Sequence, residues 1–492
     1  GSGMSAAEEA RVPAGVDDRA KWWAMLCVAL SVLMGTLDMS IVNISLPTLA
    51  RIFRTDFAVV QWVILAYVLL LSCLLLVFAR LGDMVSKRTV FAAGVVVFTA
   101  GSLLCGLAPG VGWLIAFRAV QGVGAAMTQA VGLAIVTQVF PASERGRALG
   151  IVGAVVSIGI ALGPAVGGLL IGGVGWRSIF LVNVPIGGLA LALIPRYIPA
   201  LAPAGPRQGF DLPGAAIFLV FMTGYALGMT AGQKFGFAEP RVLLLLGLAL
   251  AGLLAFLTVE ARSDQPMLDF GLFRNLLFSL NLIMGWLVFI VLAGGFIIPF
   301  FLELVTGYSI SQVGLLMMSA PIAMGLVAPW AGRLSDRFGS RLISLLGLLA
   351  IIGGCLAMST IHPGVRWLGY LVRSLSLGLG LGMFQAPNNS AVMGAAPRNR
   401  LGLASGLLAF TRTTGNTTGI PLVGAIFTAH LAGLAGAVDR TRLEVLPPAV
   451  LAGGVAGTYR TTAFIVLGAT ILAALALILE ARQKKARRPA RP

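Results

Sequence analysis

Fourteen stretches of this chain run for about 20 residues or more with almost no charge, the length a helix needs to cross a bilayer. They lie at roughly 22–47, 59–79, 89–108, 112–139, 147–172, 178–198, 212–231, 241–259, 277–302, 312–331, 341–361, 366–394, 402–430 and 461–480. Only 11% of the 492 residues are charged and 58% are hydrophobic, against about 25% charged in a soluble domain. Surface-to-volume scaling leaves no way for a soluble fold to hide that much apolar surface. A cytosolic enzyme, a nucleic-acid-binding domain and a disordered chain are therefore excluded. Barrel strands alternate apolar and polar residues, and these runs do not. The expected class is an all-α polytopic membrane protein in contact with the lipid bilayer.

The net charge of +17 then marks loops rather than a nucleic-acid surface. With the amino terminus inside, nine basic residues fall outside: Arg51, Arg54, Arg177, Lys234, Arg241, Arg366, Arg440, Arg442 and Arg460. Arg118, Arg373 and Arg412 fall within spans, and the remaining 23 of 35 lie inside. Both termini are expected in the cytoplasm, with 431–460 as the longest external stretch, either a hairpin or an amphipathic segment. Cys27, Cys73, Cys105 and Cys355 all sit in apolar runs without CxxC spacing, so neither a disulfide framework nor a metal site is indicated. Gly-Ser-Gly before Met4 reads as a cloning remnant, and the first run is too long for a cleavable signal.

An internal repeat organises the spans. Arg80-Leu81-Gly82-Asp83 recurs as Arg333-Leu334-Ser335-Asp336, and Arg118 in span 4 recurs as Arg373 in span 12. Six spans need about 200 residues. The offset of 253 to 255 therefore leaves room for two extra helices between the copies. The expected plan is a tail (1–21), a six-helix bundle (22–199), a linker with two extra helices (200–275), a second bundle (276–480) and a basic tail (481–492). Repeat-built transporters place their site at the repeat interface.

The plan and several motifs resemble the major facilitator superfamily, and within it the fourteen-span drug:proton antiporters. Leu37-Asp38-Met39-Ser40-Ile41-Val42-Asn43-Ile44-Ser45-Leu46-Pro47 is similar to that family's span 1 signature. Gln61-Trp62 with Tyr67 is similar to span 2, and Arg118-x-x-Gln121-Gly122 to span 4. Gly150, Gly159, Gly163-Pro164 and Gly167-Gly168 follow the antiporter motif of span 5. Trp176-Arg177, Phe180, Asn183, Pro185 and Gly187 resemble the start of span 6; Pro387-Asn388-Asn389 and Arg412 resemble spans 12 and 13. The chain departs from the pattern at Ala79, Met84 and Ser86, and at Glu303, where the family more often carries Gln. The resemblance implies a major facilitator fold and proton-driven multidrug efflux, as in antibiotic resistance, across a bacterial inner membrane. It implies no cofactor beyond the proton gradient. A monomer is expected, with small molecules and protons as partners.

Asp38 is the only acid well inside a span. An acid at that depth must face a cavity or a partner. Burial favours the neutral form of a carboxyl group, which is what a proton carrier needs. The alternative is a permanent ion pair with Arg118, whose charge cannot be removed. Arg412 near the midplane needs a carbonyl or acid partner, for coupling or for substrate. Glu303 is either a second proton or cation site or a solvated interfacial residue. Trp62, Tyr67, Trp286, Phe296 and Phe300 are candidates for an apolar pocket. Asn43, Gln121, Asn388 and Asn389 would add orienting hydrogen bonds. Gly159, Gly163, Pro164, Gly167 and Gly168 read as a tight, bendable seal between helices. Asp83, Arg88, Asp336, Arg337 and Arg341 read as an inner-loop gate.

Three classes compete. An ATP-driven pump lacks a GxxxxGK[ST] loop, and an enzyme lacks a catalytic cluster, since His362 and His430 lie far apart. A channel would need charged rings. A secondary exporter of amphiphilic compounds remains, with a lipid or metabolite exporter as the alternative.

Overall fold

The computed structural model describes residues 18–141, 144–199, 212–263, 270–396, 401–435 and 442–486. The tail 1–17, most of the linker at 200–211 and the end of the basic tail lie outside them, as does the Asp83 side chain. Among the described residues every regular element is helical. In hydrocarbon a helix satisfies its own backbone, so a continuous apolar run leaves no other choice.

Fourteen helices are long and apolar enough to cross a membrane. They are α1 (Arg19–Phe53), α2 (Phe57–Gly82), α3 (Lys87–Leu107), α4 (Val111–Val139), α5 (Gly150–Gly173), α6 (Ser178–Tyr197) and α7 (Pro213–Phe235). The rest are α8 (Pro240–Arg262), α9 (Leu276–Leu304), α10 (Ile310–Phe338), α11 (Ser340–Met358), α12 (Trp367–Ala395), α13 (Ala404–Ala435) and α14 (Pro448–Leu479). The start of α1 and the end of α14 lie on one face of the bundle, the termini face; the α1–α2 turn lies on the far face.

In one group α1 packs on α5, and α4 packs on α2 and α3. In the other, α12 packs on α10 and α11, α9 on α13, and α14 on α11. Helices α7 and α8 pair with each other, and α7 also lies along α2 and α13. One apolar cluster runs through both groups, from Tyr67 and Phe180 to Phe296 and Phe427.

The far-face connector is shorter than hydropathy suggests. Within 431–460, residues 431–435 end α13 and 448–460 belong to α14 rather than to a loop, while 436–441 lie outside the described residues. The 448–460 stretch is poor in large apolar side chains but rich in small ones. Its glycines admit the neighbouring helix: a Cβ on Gly457 would meet the His430 ring at 2.6 Å, and one on Gly454 would meet Phe427 Cε2 at 3.0 Å. Close packing, not lipid-facing hydropathy, carries these turns.

The two groups touch through their far halves. Gly294–Ile297 and Ile298–Leu304 of α9 lie against α1, and Ile310–Met317 of α10 lies against α5. Nearer the middle of the bundle, Ser72 of α2 bonds Thr417 of α13 at 3.0 Å, and the Thr417 hydroxyl donates to the Val68 carbonyl at 3.1 Å. Phe57 stacks on Phe296 and meets Phe300 and Phe427 edge-on. The bundle is closed at the far face.

Candidate functional site

The α1 helix carries Asp38 near its middle, just on the far side of its midpoint. The carboxylate is fully buried and so is Arg118 of α4. Arg118 Nη1 donates to Asp38 Oδ2 at 2.5 Å and to Gln121 Oε1 at 2.6 Å, and Nε donates to the Val63 carbonyl at 2.8 Å. The guanidinium lies 4.4 Å from the Tyr67 ring centroid and 5.7 Å from that of Phe180. The other carboxylate oxygen accepts from Gln121 Nε2 at 2.8 Å and from Asn183 Nδ2 at 3.1 Å. Both amides also reach Ser102 Oγ of α3, at 2.7 and 3.4 Å.

Five helices thus converge on one carboxylate. Such a network is high-stakes: in low dielectric each bond is strengthened, and each missing partner is costly. Tyr67 Oη, Arg118 Nη2 and Asn183 Oδ1 have no hydrogen-bond partner. Protonating Asp38 would cancel the ion pair yet leave Arg118 on Val63 and Gln121, so the site has a second arrangement within reach. The spacing Arg118-x-x-Gln121 puts both side chains on one face of α4. Asn183 entered the sequence reading only as part of a motif, and Ser102 not at all. The polar residue in the small-residue string Ala100-Gly101-Ser102 is the signal that could have marked it.

The other candidates scatter. Trp62 Nε1 bonds Thr230 of α7 at 3.1 Å. Phe296 and Phe300 are buried in the far-face aromatic plug, and Phe300 also lines a far-face cavity with Phe57, Leu304 and Leu443. Asn43 and Trp286 are half-buried. Asn388 is buried and donates to the Asn281 carbonyl at 3.2 Å, whereas Asn389 is exposed. Arg412 is half-buried and has no hydrogen bond or ion pair among the described residues. Asn416 lies one turn along the same face of α13, between the side that meets α2 through Thr417 and the side that meets α9 through Gly415 and Gly419. Glu303 is half-buried beside the plug; its Oε1 is buried without a hydrogen-bond partner, with the Arg51 charge nearby. Arg373, the repeat counterpart of Arg118, is tied to Thr360 in the α11–α12 connector and to the Gly369 carbonyl one turn back.

The glycines of α5 face two partners. A Cβ on Gly159 would strike Thr36, one on Gly163 would strike Ser40, and one on Gly167 would lie 2.9 Å from Ile44 Cγ2, all on α1. One on Gly168 would lie 2.6 Å from the Ile310 carbonyl of α10, and the Ser311 hydroxyl donates to the Gly168 carbonyl at 3.1 Å. Gly314 of α10 in turn lies against the Pro164 carbonyl. The stripe therefore joins α5 to its own group and, at its far end, to the other.

At the termini face Asp336 and Arg337 are exposed, Arg341 is half-buried, and Arg88 donates to the Pro195 carbonyl at 3.0 Å. Asp336 engages no partner among the described residues, and an inner-loop gate would require it to find one when this face closes. Asp336→Asn is expected to slow transport several-fold, about what 1 kcal/mol of closed-state stabilisation is worth, with substrate binding unchanged. Initial rates and equilibrium binding on the same preparation check this; equal losses in both would remove Asp336 from gating.

Residues 28–420 match the family profile described as Major Facilitator Superfamily. The riboflavin transporter RibZ of Clostridioides difficile (strain 630) is 34% identical over 415 residues, covering 84% of this chain and 89% of the relative. The multidrug resistance protein Stp of Mycobacterium tuberculosis (strain ATCC 25618 / H37Rv) is 34% identical over 417 residues, covering 84% and 77%. In fold the chain is similar to the crystal structure of a bacterial homolog to the human lysosomal transporter Spinster, inward-facing and unoccupied. There the TM-score is 0.66 at 17% identity, covering 94% of this chain and 97% of that one.

Proposed function

Because this chain belongs to the major facilitator superfamily and is a multi-pass transporter rather than an enzyme, we propose that it exports hydrophobic or amphiphilic compounds in exchange for protons. Asp38 carries the proton. The observation behind this reading is its burial: one carboxylate, enclosed by five helices, whose charge is held by a guanidinium and two amides. Proton uptake and proton loss would each reorganise that network, and a gradient can bias two states only through such a difference. Glu303, beside the plug, is proposed as a second charge site.

The substrate enters between the groups from the termini face. Trp286 and Asn43 offer apolar area and a hydrogen bond, and Arg412 with Asn416 favours compounds that present acceptors beside an apolar body. Relatives named for multidrug resistance support a drug-like substrate. A second reading, export of a metabolite such as a flavin, is favoured by the likeness to RibZ. Purified protein in vesicles separates them. Proton movement elicited by a lipophilic dye supports drug exchange, and movement elicited by riboflavin alone supports the metabolite. With no proton movement for either, coupling to protons fails.

The termini face is assigned to the cytoplasm of a bacterial inner membrane, on the excess of Lys and Arg in its loops. A cysteine replacing Gln483 is expected to stay unlabelled by an impermeant maleimide in intact cells and to react after permeabilisation. Labelling in intact cells would invert the assignment.

A further inference from the structure

Helices α7 and α8 fall outside both six-helix groups, and a cycle of two groups does not require them. α8 presents an apolar exterior: Leu243, Leu244, Leu248, Leu250 and Leu254 are exposed, as lipid contact demands. α7 differs. Its far half carries Tyr225, Thr230, Gln233 and Lys234; the first three bond helices of one group or the other, and Lys234 bonds the α1–α2 turn.

Three engage the first group. Thr230 Oγ1 accepts from Trp62 Nε1 at 3.1 Å, and Lys234 Nζ meets Asp56 Oδ2 at 2.6 Å. Gln233 and Gln61 bond reciprocally through their amides, at 2.6 and 3.3 Å. Two engage the second group: Gln233 Nε2 donates to the Pro421 carbonyl and Tyr225 Oη to the Thr418 carbonyl, both at 3.0 Å. Gln61 is fully buried. Gly424 of α13 makes the room, since a Cβ there would lie 2.6 Å from Gln61 Oε1 and 2.7 Å from Gln233 Nε2. α2, α7 and α13 thus meet at one amide pair.

We propose that α7 is a strap across the α2–α13 seam that holds the far face closed and sets how readily it opens. The inference rests on alternating access, and not on the substrate or on proton coupling. α2 and α13 belong to different groups and part when the far face opens. α7 can follow only one of them, so the bonds to the other must break. The Lys234–Asp56 pair contributes little, because its side chains are 38% and 19% exposed. The amide pair decides the matter. Breaking it leaves buried donors and acceptors without partners, which costs more than the bond itself is worth. A hairpin that merely fills space beside the bundle needs no such stripe.

A cysteine pair at Gly172 and Ser311 reports far-face closure, because a Cβ on Gly172 would lie 2.6 Å from Ser311 Oγ. The four native cysteines are buried. Oxidative cross-linking of this pair is measured in purified full-length protein without substrate or gradient. Gln233→Leu removes the amide pair's bonds to both groups and leaves those of Tyr225, Thr230 and Lys234. Gly424→Ala dislodges the amide pair while leaving every polar group in place, and decides alone if the first variant does not fold. Cross-linking is expected to slow by about tenfold in each folded variant, the effect of a shift toward the far-open state. A rate within about twofold of the parent overturns the strap. Absent proton movement in the parent, alongside slowed cross-linking in the variants, would reject proton coupling and leave the strap standing.

Discussion

Asp38→Asn is expected to reduce gradient-driven transport by roughly two orders of magnitude, because the pH gradient loses its differential grip on the two states. The amide oxygen can still accept from Gln121 and Asn183, but the amide nitrogen then faces the Arg118 donor. What the amide cannot do is take up and release a proton. The variant also strands Arg118, whose remaining acceptors are the Val63 carbonyl and Gln121. Breaking a buried pair by removing one partner costs about 3–5 kcal/mol. The thermal midpoint should therefore fall. Asp38→Asn combined with Arg118→Gln removes both charges, and replacing a whole buried pair is often close to neutral. The double variant should regain stability and remain uncoupled. Pulse-driven uptake in vesicles, with substrate counterflow as the uncoupled control, checks both. Parental gradient-driven transport in either variant would remove Asp38 from the coupling mechanism.

Gly168→Val is expected to disable the cycle from the opposite direction. The contact it blocks is to backbone, the Ile310 carbonyl and Ser311 Cα, which no rotamer change relieves. Overpacking of this kind costs about 1–3 kcal/mol. That cost falls only on the far-closed state, in which α5 and α10 touch. At ~2 kcal/mol the closed-to-open ratio drops about 30-fold, and transport falls as the closed state becomes the minor one. The fold itself should be spared, because the contact joins the two groups rather than building either. Gly163→Ala is the contrast: its Cβ would strike Ser40 of α1 within one group. It should lower the thermal midpoint, whereas Gly168→Val should not. If both variants melt alike and transport alike, α5 is ordinary packing and the seal is elsewhere.

Much of this architecture was legible before any coordinates. Hydropathy is a local property, and a bilayer turns it into a structural rule: an uncharged run of sufficient length must become a spanning helix. The all-α class and the fourteen spans follow from that alone. Asp38 stood out for the same reason, since charge deep in an apolar run is conspicuous in one dimension. The rule fails where packing replaces lipid exposure, and so residues 448–460, small and only mildly apolar, looked like a loop.

Partner choice was not legible. Asp38 and Asn183 are 145 residues apart, and Gln61 and Gln233 are 172 apart. No periodicity links positions so distant; only the crossing of α1 with α6, or of α2 with α7, brings them together. The same holds for Phe296 and Phe300, whose composition suits a drug pocket and a plug equally. Their place in the plug was decided by where α9 meets Phe57 and Phe427. The sequence by itself determined which segments enter the membrane and where a charge would be expensive. The tertiary structure alone decided which groups share that cost, because the pairing depends on helix crossings that sum many weak contacts along the whole chain.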